Sequence, residues 1–216
     1  MTPYYADDLV TIYHGDCREV MAEWMLVHAD VIVTDPPYGM AYRHGARKGG
    51  VRFGFDDQFI TGDDEPFDPS LILALDLPTV MFGANHYADR LPPSRGWLVW
   101  DKRDGSPSND QSDAELAWTN VLTVARVFSA RWSGAHRTGR EQQEGRLHVN
   151  QKPVALMAWV LAMMPAGVVL DPFMGSGSTL VAAKELGRRS IGVEVDERHC
   201  ESAATRLRQG TLGLSA

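Results

Sequence analysis

Short apolar, β-branched runs alternate along the chain with longer stretches of helical spacing. Leu9 to Tyr13 predicts a strand, followed by a helix from about Arg18 to Val27. Asp30 to Thr34 is nearly continuous in its apolarity, which marks a strand covered on both faces. Similar runs recur at Thr79 to Phe82, Trp97 to Trp100, Val168 to Leu170 and Ser190 to Val193. Further helices are predicted at Val154 to Met164, Ser178 to Leu186 and Glu197 to Arg208. Pro153 stands at the start of the first, where a missing N–H costs nothing. Gly187 follows the second as a C-terminal stop. Strand-helix alternation of this kind predicts an open α/β sheet with helices on both faces. No internal repeat is visible.

Two stretches break the rhythm. From Ala41 to Phe67, Arg43, Arg47, Lys48 and Arg52 come with no acid among them, and Asp56, Asp57, Asp63, Asp64 and Glu65 then come with no base. From Arg126 to His148, five arginines face only Glu141 and Glu144. Long loops inside a compact α/β chain are more often functional than idle. The 216 residues suit a single domain spanning 1–216, and 44% hydrophobic with 23% charged residues excludes wholesale disorder. Two cysteines, Cys17 and Cys200, are too few for a disulfide scaffold or a zinc cluster. No apolar run approaches the roughly 18 residues of a membrane span. The first residues carry neither a basic nor an apolar signal region, so a reducing, cytoplasmic location is expected. A net charge of −7 argues against coating nucleic acid by bulk charge, yet leaves room for a local basic groove.

Two motifs carry chemistry. In Val169-Leu-Asp171-Pro-Phe173-Met-Gly175-Ser-Gly177-Ser-Thr179 a strand runs into a glycine pair and then a helix. Glycines let the backbone approach a ligand at the carboxyl edge of such a sheet. A second strand ends in Glu194, 23 positions beyond Asp171, where a carboxylate can accept both ribose hydroxyls of a nucleoside. The third glycine of the dinucleotide fingerprint is replaced by Leu180, and no GK[ST] follows. Together these favour an adenosine without a pyrophosphate, as in S-adenosylmethionine. A purely structural turn explains the glycines alone but not the acid-ended strand beside them. The other motif, Asp35-Pro36-Pro37-Tyr38, follows a strand directly. Its prolines carry no N–H, so it presents acceptors only, and Tyr38 adds an aromatic face. Acceptors beside a ring suit the exocyclic amino group of a base taken out of its stack. A structural Asp-Pro-Pro turn is the plainer alternative.

With these motifs in place the chain resembles the S-adenosylmethionine-dependent amino-methyltransferases of DNA, of the permuted β type, in which a DPPY motif precedes an FxGxG motif. Most of the chain takes part in the likeness. His14-Gly-Asp16-Cys17, Phe82-Gly-Ala-Asn85, Trp97-Leu-Val-Trp100-Asp101-Lys102 and His148-Val-Asn-Gln151-Lys152-Pro153 resemble further blocks in family order, Val149 and Asn150 departing from the HPTQKP pattern. The resemblance implies a Rossmann-like methyltransferase sheet of seven strands, mostly parallel with one antiparallel. It implies that Asp35, Pro36, Pro37 and Tyr38 are catalytic. It places Asp171, Phe173, Gly175, Gly177 and Thr179 around the methionine moiety of S-adenosylmethionine, beside Asp35. Glu194 would hold the ribose, Asp16 and the Cys17 backbone would meet the adenine, and Lys152 would partner the methionine carboxylate. A helix N-cap is the plainer role for Asp16. Asp rather than Ser before Pro-Pro-Tyr favours adenine N6 over cytosine N4.

The implied reaction is in-line methyl transfer to the amino group of a flipped base in double-stranded DNA, with no metal, since the leaving group is activated by its own charge. Arg43, Arg47, Lys48, Arg137 and Arg140, in the segments at about 41–67 and 126–148, are the expected DNA contacts. The protein would act as a monomer or homodimer, alongside a restriction enzyme in some settings. Cytosine N4 methylation is the strongest same-fold rival, followed by methylation of an RNA or protein amide nitrogen. A nucleotide-linked dehydrogenase is disfavoured by Leu180, and a DNA-binding module without activity is disfavoured by the intact motifs.

Overall fold

The computed structural model describes residues 1–24, 29–40, 62–107, 112–132 and 151–210. Nine strands are described: β1 (Tyr5–Ala6), β2 (Val10–His14), β3 (Val31–Thr34), β4 (Thr79–Phe82), β5 (Gly96–Asp101), β6 (Ala114–Thr119), β7 (Arg126–Ser129), β8 (Val169–Asp171) and β9 (Ser190–Glu194). The helices are α1 (Cys17–Trp24), α2 (Ser70–Leu73), α3 (Val154–Met163), α4 (Ser178–Glu185) and α5 (Glu197–Gly210). The strands form one sheet in the order β1-β2-β9-β8-β3-β4-β6-β5-β7.

The sequence-based expectation of seven strands with one reversed describes the middle of this sheet. From β2 to β5, only β6 runs antiparallel to its neighbours β4 and β5. Two edge strands add to it. β1 pairs antiparallel with β2, and β7 pairs parallel with β5. The sheet therefore has nine strands, two of them reversed. Both additions are short, and Val127 of β7 is 62% exposed, so neither carries the continuous apolar signal of a central strand. β7 also corrects the reading of 126–148 as a loop from its first residue.

Strand alternation explains the layers. Val31, Val33, Val80 and Phe82 point to one face and pack with Leu156, Met157, Val160 and Leu161 of α3 and with Ala182 and Ala183 of α4. Ile32 and Met81, one position out of phase, point to the other face and meet Val20 and Met21 of α1 and Ile72 of α2. Val10 and Ile12 of β2 pack with Cys200, Ala203, Ala204 and Leu207 of α5. α3 is apolar all round: Leu156, Met157, Val160 and Leu161 are buried, Val154, Ala158, Trp159 and Met163 are partly buried, and only the small Ala155 and Ala162 are exposed.

Gly192, in the middle of β9, is required for space. A Cβ built there would lie 2.5 Å from Met174 Sδ and 2.7 Å from Leu180 Cδ2, both buried against the sheet. Gly192→Ala is expected to overpack this seam and lower stability by about 1–3 kcal/mol in chemical denaturation. An unchanged midpoint would show that the seam can open without cost.

Candidate active site

Parallel strands release their loops at one edge, and the predicted residues gather there. β8 ends at Asp171 and β9 at Glu194, next to each other in the sheet. The loop between Asp171 and α4 turns through Gly175 and Gly177, at φ 50° and 78°, the left-handed region that glycine enters without a Cβ clash. Glu194 braces this turn. Its Oε2 accepts the Gly175 N–H at 2.9 Å, and its Oε1 accepts the Asp196 N–H at 2.8 Å. From below, the buried Arg206 guanidinium of α5 donates to the Ser176 carbonyl at 2.8 Å.

Asp171 is buried, and its Oδ1 accepts the Thr34 hydroxyl at 2.7 Å and the Phe173 N–H at 3.2 Å. Burial pushes its pKa up to about 6, against the pull of the Thr179 and Thr34 hydroxyls. Thr34 is the last residue of β3, so this bond ties the glycine loop to the segment that carries Asp35. Asp16 follows β2. Its carboxylate accepts the Arg18 N–H at 2.8 Å and pairs with the Arg18 guanidinium, capping α1. The guanidinium holds the carboxyl below its ordinary range. Burial pushes the Cys17 thiol up to about 11.

Asp35, Pro36, Pro37 and Tyr38 follow β3. The Tyr38 hydroxyl donates to Asp35 Oδ1 at 2.5 Å, and the Lys152 ammonium donates to Asp35 Oδ2 at 2.6 Å and to the Tyr38 hydroxyl oxygen at 3.2 Å. Lys152 Nζ also lies 2.9 Å from Glu115 Oε2, and Lys102 donates to Glu115 Oε1 at 3.0 Å. Burial alone would raise the Glu115 carboxyl, but the two ammonium groups hold it down at about 2. Burial raises the Asp35 carboxyl, with Lys152 and Tyr38 opposing it. Tyr38 is fixed on every side. Its ring stacks on His86 at 5.0 Å and 13°, and a Cβ on Gly83 would overlap it. Asp63 Oδ1 accepts the N–H groups of Tyr38, Gly39 and Met40 at 3.0, 2.9 and 3.3 Å.

One cleft of ≈ 1150 Å³ joins both halves, its wall including Asp16, Asp35, Tyr38, Lys152, Phe173 and Glu194. Among the described residues no group of three metal-binding side chains occurs, and no helix is long and apolar enough to cross a membrane.

The family model for N6/N4 methyltransferases, DNA methylase, matches residues 85–205, more than half of the chain. YubD of Escherichia coli (strain K12), which is named as a methylase, is 31% identical over 211 residues, covering 89% of this chain and 88% of that protein. The chain belongs to the N6/N4 DNA methylase family. Two solved structures share the fold. The M1.HpyAVI–SAM complex superposes with a TM-score of 0.56 at 22% identity, covering 92% of this chain and 100% of that one. PvuII DNA methyltransferase (cytosine-N4-specific) superposes with a TM-score of 0.62 at 16% identity, covering 94% of this chain and 88% of that one.

Within this DNA methylase the sequence-predicted residues Asp16, Cys17, Asp35, Pro36, Pro37, Tyr38, Lys152, Asp171, Phe173, Gly175, Thr179 and Glu194 all line the cleft. Gly177 does not. It precedes α4, where a Cβ would press on Ala203 at 2.9 Å, so its place is in the packing of the loop on α5. Lys152 sits on Asp35 and Glu115, so its charge is already compensated. Arg43, Arg47, Lys48, Arg137 and Arg140 lie outside the described residues. Sequence reading missed Glu115, Asp63 and His86. Asp63 stood out only as part of an acidic run, and nothing in that run signals a backbone partner 25 positions earlier.

Two outcomes follow from this geometry. Asp171 has a folded pKa near 6 against an ordinary 3.8, so the native state binds its proton more readily than the unfolded chain. Stability should therefore fall as pH rises from about 4 to 6, by on the order of 3 kcal/mol. Asp171→Asn should remove that loss, stabilising the unliganded protein at pH 7 and leaving it unchanged near pH 4 in denaturation at both values. Asp63→Ala leaves three N–H groups without their acceptor and should cost about 1–3 kcal/mol, whereas Asp63→Asn, whose oxygen still accepts, should lose much less. Equal losses in the two variants would show that the side chain matters by its volume and not by these bonds.

Proposed function

We propose that this protein transfers a methyl group from S-adenosylmethionine to the N6 amino group of adenine in double-stranded DNA. The observation that carries the reading is the placement of Asp35 and the Pro36 carbonyl at the same sheet edge, in the same cleft, as Asp171 and Glu194. The cleft residues suit the methyl donor. The two Glu194 oxygens are oriented by backbone N–H groups and keep lone pairs for ribose hydroxyls. Asp171 is a buried carboxylate with no ion-pair partner among the described residues, and a nearby cationic methionine moiety would supply one. One solved neighbour is described as a SAM complex, which supports the donor; the other is described as cytosine-N4-specific, so the choice of adenine rests on Asp35 at the head of the motif.

S-adenosylmethionine would supply a methyl group on a sulfonium sulfur, which would depart as a neutral thioether while the methylated amino group gives up one proton to solvent. The chain's task is to prepare the nucleophile. An adenine amino lone pair is delocalised into the ring. Asp35 accepts one amino N–H and the Pro36 carbonyl accepts the other, which favours a pyramidal nitrogen and places negative charge beside the cation that develops there. To do so, the amino group takes over bonds that the Tyr38 hydroxyl and Lys152 make to Asp35. Stacking on the base requires Tyr38 to exchange its present contact with His86. The basic segments within 41–67 and 126–148 are the DNA-facing parts of a single methyltransferase domain in this reading, with phosphates as their principal partners.

The test is direct. Incubation with DNA and labelled S-adenosylmethionine, followed by digestion to nucleosides, should yield labelled N6-methyladenine. N4-methylcytosine would overturn the choice of base, and no labelled nucleoside would overturn the activity. Asp35→Asn keeps the shape of the turn but removes its charge. Its single-turnover rate should drop by about 10²–10³-fold, with cofactor affinity within a few-fold of wild type.

A further inference from the structure

The contacts of Lys152 raise a question that the proposed reaction must answer. Its side chain is 6% exposed, and its ammonium lies over the rings of Tyr38 and Phe82, at 5.8 and 5.5 Å from their centroids, so it cannot retreat to water. It caps the Asp35 oxygen that the amino group of the base needs. A buried ammonium released from its carboxylate without another partner would be strongly disfavoured. Glu115 is the other partner. Its Oε2 already lies 2.9 Å from Lys152 Nζ, and Lys102 anchors its Oε1 at 3.0 Å. β6 runs opposite to β4 and β5, so its first residues, and not its last, reach the edge where Asp35 stands.

We infer that Glu115 is a positioning residue for methyl transfer: it retains the Lys152 ammonium while the amino group of the target base takes Lys152's place on Asp35. The inference rests on the methyltransferase reading above. Without the Glu115 charge, Lys152 has one anion left and holds it more tightly. A neutral amino group then competes against a charge-assisted bond, which is roughly twice as strong as a neutral one. The exchange costs more, and the step that suffers is transfer, since neither the ribose-facing Glu194 nor the DNA contacts are touched.

The experiment compares wild type, Glu115→Gln and Glu115→Asp on a DNA that the wild type methylates. Single-turnover rate, the KM for DNA, S-adenosylmethionine affinity by calorimetry and thermal midpoint are recorded for each. Glu115→Gln should slow transfer about 10- to 100-fold, with KM and cofactor affinity within about three-fold. Glu115→Asp, which keeps the charge but reaches Lys152 less well, should also slow transfer, by a smaller factor than Glu115→Gln. A merely structural Glu115 would lower the midpoint and leave the rate per cofactor-bound molecule unchanged, and that result overturns the inference. Should Glu115→Gln not fold, Glu115→Asp decides: a slower rate at normal cofactor affinity supports the exchange, and a wild-type rate overturns it. Failure of the wild type to label any DNA removes the methyltransferase reading itself, a result distinguishable from either outcome in the variants.

Discussion

Parallel pairing in a twisted sheet constrains everything in this site. Two parallel neighbours cannot be joined by a hairpin, so the chain leaves each strand at the same edge and crosses back over a face. β2, β9, β8, β3 and β4 obey this rule side by side, and the loops after all five open on one edge. The cleft lies where those loops meet. The reversed β6 contributes in the opposite sense: the same edge receives the start of that strand, and with it Glu115.

Burial then decides what those loops can hold. A carboxylate under protein loses its hydration and must find donors or cations. Asp171 finds hydroxyls and an N–H, and its pKa rises nonetheless. Glu115 finds two ammonium groups, and its pKa falls. Asp35 lies between these cases, with burial set against Lys152. Two acids and two lysines, Asp35, Glu115, Lys102 and Lys152, thus form one balanced group beside the Asp35-Pro-Pro-Tyr38 turn, while Asp171 has no cation beside it among the described residues. The Thr34–Asp171 bond joins the two ends mechanically.

The Asp35-Pro36-Pro37-Tyr38 turn is braced from outside its own four residues. Two prolines restrict its backbone, but the direction of Tyr38 depends on Gly83 leaving room for the ring, on His86 stacking against it and on Asp63 gathering three N–H groups. These partners come from β4's loop and from the turn at 62–66. A motif so braced holds its backbone in one geometry.

What the sequence determined by itself were the elements and motifs whose signal is local. Continuous apolar runs marked β3, β4, β8 and β9 to within a residue or so, because strands covered on both faces admit few polar positions. The glycine loop, Asp35-Pro-Pro-Tyr38 and Glu194 were legible because their spacing from a strand end is itself the signal. The tertiary structure alone decided the rest. β1 and β7 are edge strands with half their backbone groups unpaired, and β6 is interrupted by Glu115 and only half-buried at its start, so none carries a continuous apolar run. Glu115 meets Lys152, 37 positions on, and Asp63 and His86 meet Tyr38, 25 and 48 positions back. Ion pairs and hydrogen bonds depend on proximity in space, and at those separations only the order and direction of strands in the sheet bring the groups together.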